Sequence, residues 1–531
     1  MDKQLTWRAL VIGLLGLLVI TASSMYVALR MGALPWPTIF VTVVSMAALK
    51  HCKGSTIQEI NCTHTIMSAG AMVAGGLAFT LPGLWMLDPE SQIPLVSMVA
   101  LTMVGVVLGT LFTSLFRKRL IEDEPLPYPM GVAACETLKA GMAGGRDAIV
   151  LFVALVLAAL YTALRDGAGI LPQVFVLFAG SATLAPLMLY NSPMALGIGA
   201  IIGPVLAGVW LLGMVLGHYL IVPVGLATGL FSDMVAATAF RTNLGIGLMI
   251  GTGLGVLVKA AFDLSKRQRN AKKSGRRLSR QAILAMGMAI LSCIIVLAVC
   301  TEVSFFQGIV LVVGVFFATY LSSMLTGQTG VNPMEIFGML VLLIIHLFFK
   351  NSLSASFTIA AVTAVACGLA GDVMNDLKSG YLLGADPRQQ LIGEGIGGMV
   401  GAMVSVFALL AIKQAFGTFG TPELPAPQAA AVSAMAGGLK DAHAFAIGCI
   451  AGMLLFLAKV PTATLGLGVY LDTPISAIMG LGALVSFILN KTTGKKFGLE
   501  ATGRYVGLVS SGFLGGEGVT GVLIALASML H

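Results

Sequence analysis

Apolar residues run along this chain in blocks of roughly 20, separated by short polar or glycine-rich breaks, the pattern expected of helices that cross a bilayer. The breaks predict spans at 8–29, 35–49, 57–81, 94–116, 147–165, 170–190, 194–216, 219–240 and 243–262. A second series follows at 281–301, 305–326, 332–349, 353–371, 391–413, 442–459, 462–489 (long enough for two broken pieces) and 503–530. The expectation is an all-α polytopic membrane protein of about 14–16 transmembrane helices. Several blocks carry internal proline, as at Pro204, Pro223, Pro461 and Pro474. Proline there frees backbone groups that must find partners in protein or in a water-filled cavity, so broken helices are expected.

The blocks recur. At a spacing of 298 residues Gly32 falls on Gly330, Pro35 on Pro333, Gly70 on Gly368, and Leu126-Pro127-Tyr128-Pro129 on Leu424-Pro425-Ala426-Pro427. After small deletions Arg146-Asp147-Ala148 meets Lys440-Asp441-Ala442, Ser192-Pro193-Met194 meets Thr473-Pro474-Ile475, and Arg241 meets Arg504. The chain reads as an internal duplication, with a first repeat over 1–262, a loop over 263–281 and a second repeat over 282–531. Duplication of this kind is usual in secondary transporters, which bind substrate where the repeats meet. The segments after the two Leu-Pro-x-Pro motifs, Met130 to Gly141 and Gln428 to Gly438, are too short to span comfortably and read as re-entrant, so the parity of spans leaves parallel and inverted repeats both open.

Composition narrows the class. Of 531 residues 57% are apolar and only 10% charged, with 65 glycines, whereas a soluble domain carries about 25% charge. That excludes a soluble enzyme and a nucleic-acid binder, and leaves the lipid bilayer as a constant partner. Eight of the 31 Lys and Arg, from Lys266 to Arg280, lie in the 263–281 loop, which is therefore expected on the cytoplasmic side of a cytoplasmic (inner) membrane. Seven cysteines show no CxxC pairing, and Cys62 and His64 lack a second pair at metal spacing, so no metal site is expected. A phosphate loop is missing, Asn490-Lys491-Thr492-Thr493-Gly494 lacks the aspartate of a phosphorylated pump, and no His opens a zinc-protease motif. Asp372 after Gly371 raises an intramembrane aspartyl protease, but Asp376 is four residues on, on the same helix face. The chain is not expected to be an enzyme or to need a cofactor.

Charge inside a bilayer costs at least about 2.5–3.5 kcal/mol on insertion scales, so the ionisable residues within spans are the functional candidates. Gly371 to Gly384 packs Asp372, Asn375, Asp376, Lys378 and Tyr381 into one stretch, where Lys378 could neutralise one acid. The cluster suits a proton relay, a cation site or a clamp for a peptide terminus. Asn332 and Glu335 flank Pro333 and Met334; the bland reading is a capped helix with an acid in its first turn, the sharper one a buried carboxylate suited to reversible protonation. Glu136, Glu394 and Glu517 lie among glycines and apolar residues, and Glu517 is the hardest to place on a surface. Glu59 and His64 form a candidate pair. Arg30 and Arg504 are the cations best placed to meet a carboxylate, with snorkelling as the alternative.

At these residues the sequence resembles the oligopeptide transporter family, which includes the yellow-stripe-like carriers of metal chelates. The resembling stretches are Tyr26 to Gly32, Leu126-Pro127-Tyr128-Pro129 through Lys139-Ala140-Gly141, Asn332 to Gly338, Asp372 to Pro387, Leu424 to Ala429, and Gly515-Gly516-Glu517-Gly518 with Thr520-Gly521. The resemblance implies a proton-coupled importer of oligopeptides or peptide-like chelates of about 16 spans, in a compact prokaryotic form. A metal would arrive inside its chelator, and a channel-like or lipid-handling protein is the reading from another class. Homodimerisation is left open. The chain departs from the family's pattern where acids usually precede the Asn-Pro-Met-Glu stretch, having Gly327 and Gly330, and where Asn375 replaces a glutamine, which bears on coupling and on substrate charge.

Overall fold

The computed structural model describes residues 4–528 except 33, 35–37, 51, 124, 144–145, 182–183, 269–279, 330–331, 333 and 438–440; the side chains of some further helical positions, Glu136 among them, also lie outside it. Most of the basic 263–281 loop falls in that excluded set.

The helices are α1 (Trp7–Met31), α2 (Thr38–Leu49), α3 (Ile57–Ala78), α4 (Pro82–Leu87), α5 (Leu95–Arg117), α6 (Pro129–Ala143), α7 (Arg146–Thr162), α8 (Pro193–Met214), α9 (Val222–Ala227) and α10 (Met234–Gln268). They continue with α11 (Arg280–Cys300), α12 (Phe305–Thr329), α13 (Met334–Phe348), α14 (Leu353–Leu383), α15 (Pro387–Phe416), α16 (Pro427–Gly437), α17 (Ala442–Leu457), α18 (Thr462–Tyr470), α19 (Thr473–Phe497) and α20 (Leu499–Ser528). Among the described residues, 11 helices are long and apolar enough to cross a membrane, joined by the shorter apolar stretches Met334–His346 and Ala442–Leu457. Large side chains such as Ile149, Phe152 and Val156 on α7 and Ile283, Leu284 and Met288 on α11 face outward, as lipid contact demands. The protein is an all-α multi-pass membrane protein.

Local signals set many helix bounds. Thr6, Thr56, Ser192, Ser352 and Asp441 each accept a backbone N–H from the first turn of the helix they precede. Gly32 (φ 62°) and Gly384 (φ 70°) end α1 and α14 in left-handed backbone. α6 and α16, after the two Leu-Pro-x-Pro motifs, have 15 and 11 residues, short for a crossing.

Two expected spans are corrected. Residues 170–190 do not form a helix: Val174–Phe178 (β1) and Leu187–Tyr190 (β2) pair antiparallel, with Val174 opposite Tyr190. Pro172, Gly180 and Pro186 cut this stretch into apolar runs too short for a helix but rich enough in Val and Phe for strands. The break expected near residue 241 lies instead between α9 and α10. There Gly229 takes φ 72° and Asp233 caps the new helix through the Ala236 amide at 2.8 Å, which holds the Asp233 carboxyl below the usual carboxylate range. The apolar Leu230 and Phe231 disguise that turn in the sequence.

Two bundles result, each drawing helices from both ends of the chain. In one, α14 packs on α3, α5, α12 and α13, while α15 packs on α3 and α5; in the other, α10 packs on α17 and α18, α8 on α18 and α19, and α7 on α20. The α20 contacts with α1 and α15 join them. α14 is buried nearly along its whole length. Glycine lets these helices touch backbone to backbone. A Cβ on Gly401 of α15 would stand 2.6 Å from Gly70 Cα of α3, and one on Gly199 of α8 would stand 1.9 Å from Met479 O of α19.

The two Leu-Pro-x-Pro hinges are linked crosswise. Tyr128 (φ 45°) donates its N–H to Gly327 O at 2.9 Å, near the end of α12, and Ala426 (φ 37°) donates to Leu29 O at 2.8 Å, near the end of α1. The same 298 residues separate Tyr128 from Ala426 and Leu29 from Gly327. Left-handed backbone costs a non-glycine residue about 1–2 kcal/mol, which the buried amide bond offsets.

Gly401→Ala is expected to lower the melting temperature in detergent by several degrees, because the methyl has to push α3 off α15. Gly395→Ala on the same helix meets nothing within 4 Å and is expected to be neutral or stabilising, by up to about 1 kcal/mol. Equal melting of the two variants would refute this account of the α3–α15 crossing.

Candidate functional site

The first polar centre lies between α3, α14 and α15. One turn separates Asp372 from Asp376 on α14, and both are buried. Asp376 takes Ser68 Oγ on one oxygen at 2.8 Å and stands 3.3 Å from His64 Nε2 on the other. The far side of that imidazole, Nδ1, is 2.9 Å from Thr42 Oγ1 of α2. Gln390 of α15 donates to the Asp376 carbonyl at 3.0 Å, and Glu394, one turn further along α15, is 1% exposed. Neither oxygen of Glu394, nor Oδ2 of Asp372, has a hydrogen-bond partner among the described residues, although Glu394 stands within electrostatic reach of both aspartates. Three carboxyl groups and one imidazole therefore share a buried space in which two carboxyl groups are short of donors.

The expected Glu59–His64 pair does not form. Glu59 faces the other way, receiving Arg8 at 2.6 and 2.7 Å and also Thr6, while His64 belongs to Asp376. Positions 59 and 64 are five apart, which points them to different sides of α3. Lys378 likewise does not neutralise Asp372 or Asp376: its ammonium donates to Leu126 O at 3.1 Å, in the first hinge. Asn375 accepts the Gly131 N–H at 3.2 Å and so caps the start of α6. α14 thus carries the acids and also holds the hinge.

The second polar centre lines a cavity of about 530 Å³ between the bundles. Its walls include Arg30 from α1, the β1–β2 hairpin with Tyr190, His218, Arg241 from α10, Glu423 just before the second hinge, and Asp472 at the break between α18 and α19. Arg241 donates to Val469 O and Tyr470 O at 2.5 and 2.8 Å and stands 3.5 Å from Asp472. Arg30 lies 4.6 Å over the Tyr190 ring and 5.6 Å over that of Tyr26, whose hydroxyl it contacts.

Behind Tyr190, Glu517 is fully buried but fully served. Arg165 reaches it at 2.9 Å, Ser192 Oγ reaches both oxygens at 2.9 Å, and the Met194 N–H adds 2.9 Å at the positive end of α8. Arg165 also clasps Asp166 at 2.6 and 2.7 Å.

The remaining sequence candidates sit apart. Asn332 donates to Cys367 O and Gly368 O at 2.8 and 3.2 Å and so clamps the α12–α13 junction to α14. Glu335 opens α13 in its first turn, half-buried. Arg504 pairs with Asp147 at 3.4 Å, and Tyr381 is exposed at the end of α14. Glu136 lies on α6, with its side chain outside the described residues. Arg165, Tyr190, His218 and Glu423 escaped the sequence reading, whereas Ser68 stood out only as one of several polar residues on the His64 helix. Of those that escaped, only Arg165 left a signal, a lone arginine at the end of an apolar block.

A multi-pass helical protein with broken helices and a polar cavity between two bundles has the architecture of a membrane transporter. The family model described as OPT oligopeptide transporter protein matches residues 4–528, and the chain belongs to that family. It is also 27% identical over 595 aligned positions to a Haemophilus influenzae protein named "Putative oligopeptide transporter", covering 94% of this chain and 92% of the relative.

The contrast between the two glutamates is measurable. Glu517→Ala takes from Arg165 its fully buried acid, leaving it Asp166 and the Asn191 carbonyl, and also strips Ser192 and the Met194 amide of their acceptor; it is expected to cost about 3–5 kcal/mol, seen as a large fall in melting temperature and yield. Glu394→Gln replaces a buried carboxyl that has no hydrogen-bond partner among the described residues and is expected to leave melting unchanged or raised; a fall matching that of Glu517→Ala would show that Glu394 is instead a structural pair.

Proposed function

We propose that this protein is a secondary active transporter that couples proton entry to the uptake of oligopeptides across the cytoplasmic membrane. The observation that carries the reading is the separation of two unlike polar centres: a cavity walled by charges of both signs, and a buried carboxyl–imidazole cluster outside it. A peptide is a zwitterion, and a cavity presenting Arg30 and Arg241 together with Glu423 and Asp472 suits both of its ends. Membership of the oligopeptide transporter family favours the same substrate class.

Proton coupling rests on Asp372, Asp376, Glu394 and His64. Like charges this close in a poorly solvated space cannot all be ionised, so the cluster holds a proton in some states and gives it up in others. His64 bonded to Asp376 offers the exchange partner, and its Thr42 contact fixes the ring. The bundles then move about the cavity between them as the cluster gains and loses its proton. Basic residues concentrated between Lys266 and Arg280 favour a cytoplasmic position for that loop.

The test is proton flux into proteoliposomes that contain a pH dye, challenged with di- to hexapeptide pools and, separately, with ferric and nickel chelates. Peptide-dependent acidification is expected. Acidification by chelates alone would move the substrate to peptide-sized polycarboxylates, and silence with both would refute proton symport. Asp376→Asn and Glu394→Gln are each expected to lower concentrative uptake at least about tenfold while sparing peptide exchange at equal pH.

A further inference from the structure

The cavity has an orientation, set by Arg30. This side chain is only 4% exposed, yet among the described residues it makes no ion pair, and its one hydrogen bond there goes to the Tyr26 hydroxyl. Guanidinium carries five N–H donors, and a buried arginine ordinarily spends them on a carboxylate or on carbonyls. The other arginines nearby do so: Arg165 has Glu517, Asp166 and the Asn191 carbonyl, and Arg241 has two carbonyls and Asp472. Arg30 instead lies against the faces of Tyr26 and Tyr190, which steady a cation without using its donors.

The nearby anions are already committed. Both oxygens of Glu517 are taken by Ser192, with Arg165 and the Met194 amide added, and both oxygens of Asp166 are taken by Arg165. These two acids balance Arg30 and Arg165 in number, so the nest is neutral as a whole. It is hydrogen-bonding capacity that remains, and it remains on Arg30, at the cavity wall.

We propose that Arg30 is the docking group for the C-terminal carboxylate of the transported peptide, held between Tyr26 and Tyr190 so that its free donors face the cavity. This rests on the peptide-transport reading and refines it, because it fixes which end of the peptide lies at the α1 wall. Glu423, on the same cavity, is left for the amino end, since Asp472 already faces Arg241. A planar two-pronged donor is matched by a carboxylate and not by a carboxamide. The transporter should therefore require a free C-terminus.

The experiment compares three forms of one di- to hexapeptide pool in wild-type proteoliposomes: free at both ends, amidated at the C-terminus, and acetylated at the N-terminus. The expected result is uptake of the free pool, at least about a tenfold loss of competition against it on C-terminal amidation, and a smaller loss on N-terminal acetylation. Arg30→Gln should bring the free and amidated pools to the same weak competition, and Arg30→Lys should restore part of the preference. Uptake of the free pool with equal competition by the amidated pool would overturn the docking role while leaving peptide transport intact. No uptake of any pool would overturn the transport reading and this inference with it. The comparison of pools on wild-type protein does not depend on whether a variant folds.

Discussion

A helix that stops in apolar surroundings leaves N–H and C=O groups that no water can take, and each must find a partner in protein. The two Leu-Pro-x-Pro hinges answer that constraint by exchange. Tyr128 serves the end of α12 and Ala426 the end of α1, so each half of the chain completes a helix that belongs to the other. Gly32 makes the second crossing feasible, since a Cβ there would stand 2.0 Å from Pro427 Cγ, and Gln428 adds a bond to Gly32 O at 3.0 Å. These bonds pair Leu29 O and Gly327 O, near the ends of α1 and α12, and fix where the short helices α16 and α6 begin.

The same rule of satisfaction divides the buried acids. Glu517 has a guanidinium, a hydroxyl and a helix N-terminus, so both of its oxygens are hydrogen-bonded. Among the described residues Glu394 has no donor, and one oxygen of Asp372 is left bare. Leaving such groups in the core of a bundle costs stability that a purely structural design would avoid with an apolar residue. In sequence both glutamates look alike, an acid between glycines; the partners of Glu517, Arg165 and Ser192, lie hundreds of residues away, and Glu394 has none among the described residues.

That is also why the fold was more legible than the site. Helices follow from apolar runs and local caps, and Thr6, Ser192 and Asp441 could be read where they stand. The hairpin at 174–190 was misread because hydropathy alone cannot distinguish two short strands from one helix; its prolines were the better guide. Asp372 and Asp376 stood out through their spacing. Arg165 and Tyr190 did not, because their meaning depends on contacts with Glu517 and Arg30 across the whole chain. Glu59 shows the limit from the other side: His64 was near in sequence, but Arg8 was the residue in reach.

The hinges also connect the two centres to the frame. Leu29, whose carbonyl holds Ala426, directly precedes Arg30, and Glu423 lies three residues before Ala426, so one amide bond ties together two charged walls of the cavity. The other hinge is held by Lys378 and Asn375, on the same α14 turns that carry Asp372 and Asp376. Any rotation that stretches the Ala426 bond alters the distance between Arg30 and Glu423, and any that stretches the Tyr128 bond pulls on the helix bearing the carboxyl cluster. One device in two copies thus sits beside the cavity in one case and beside the acids in the other, so each hinge is bonded directly to one of the two polar centres.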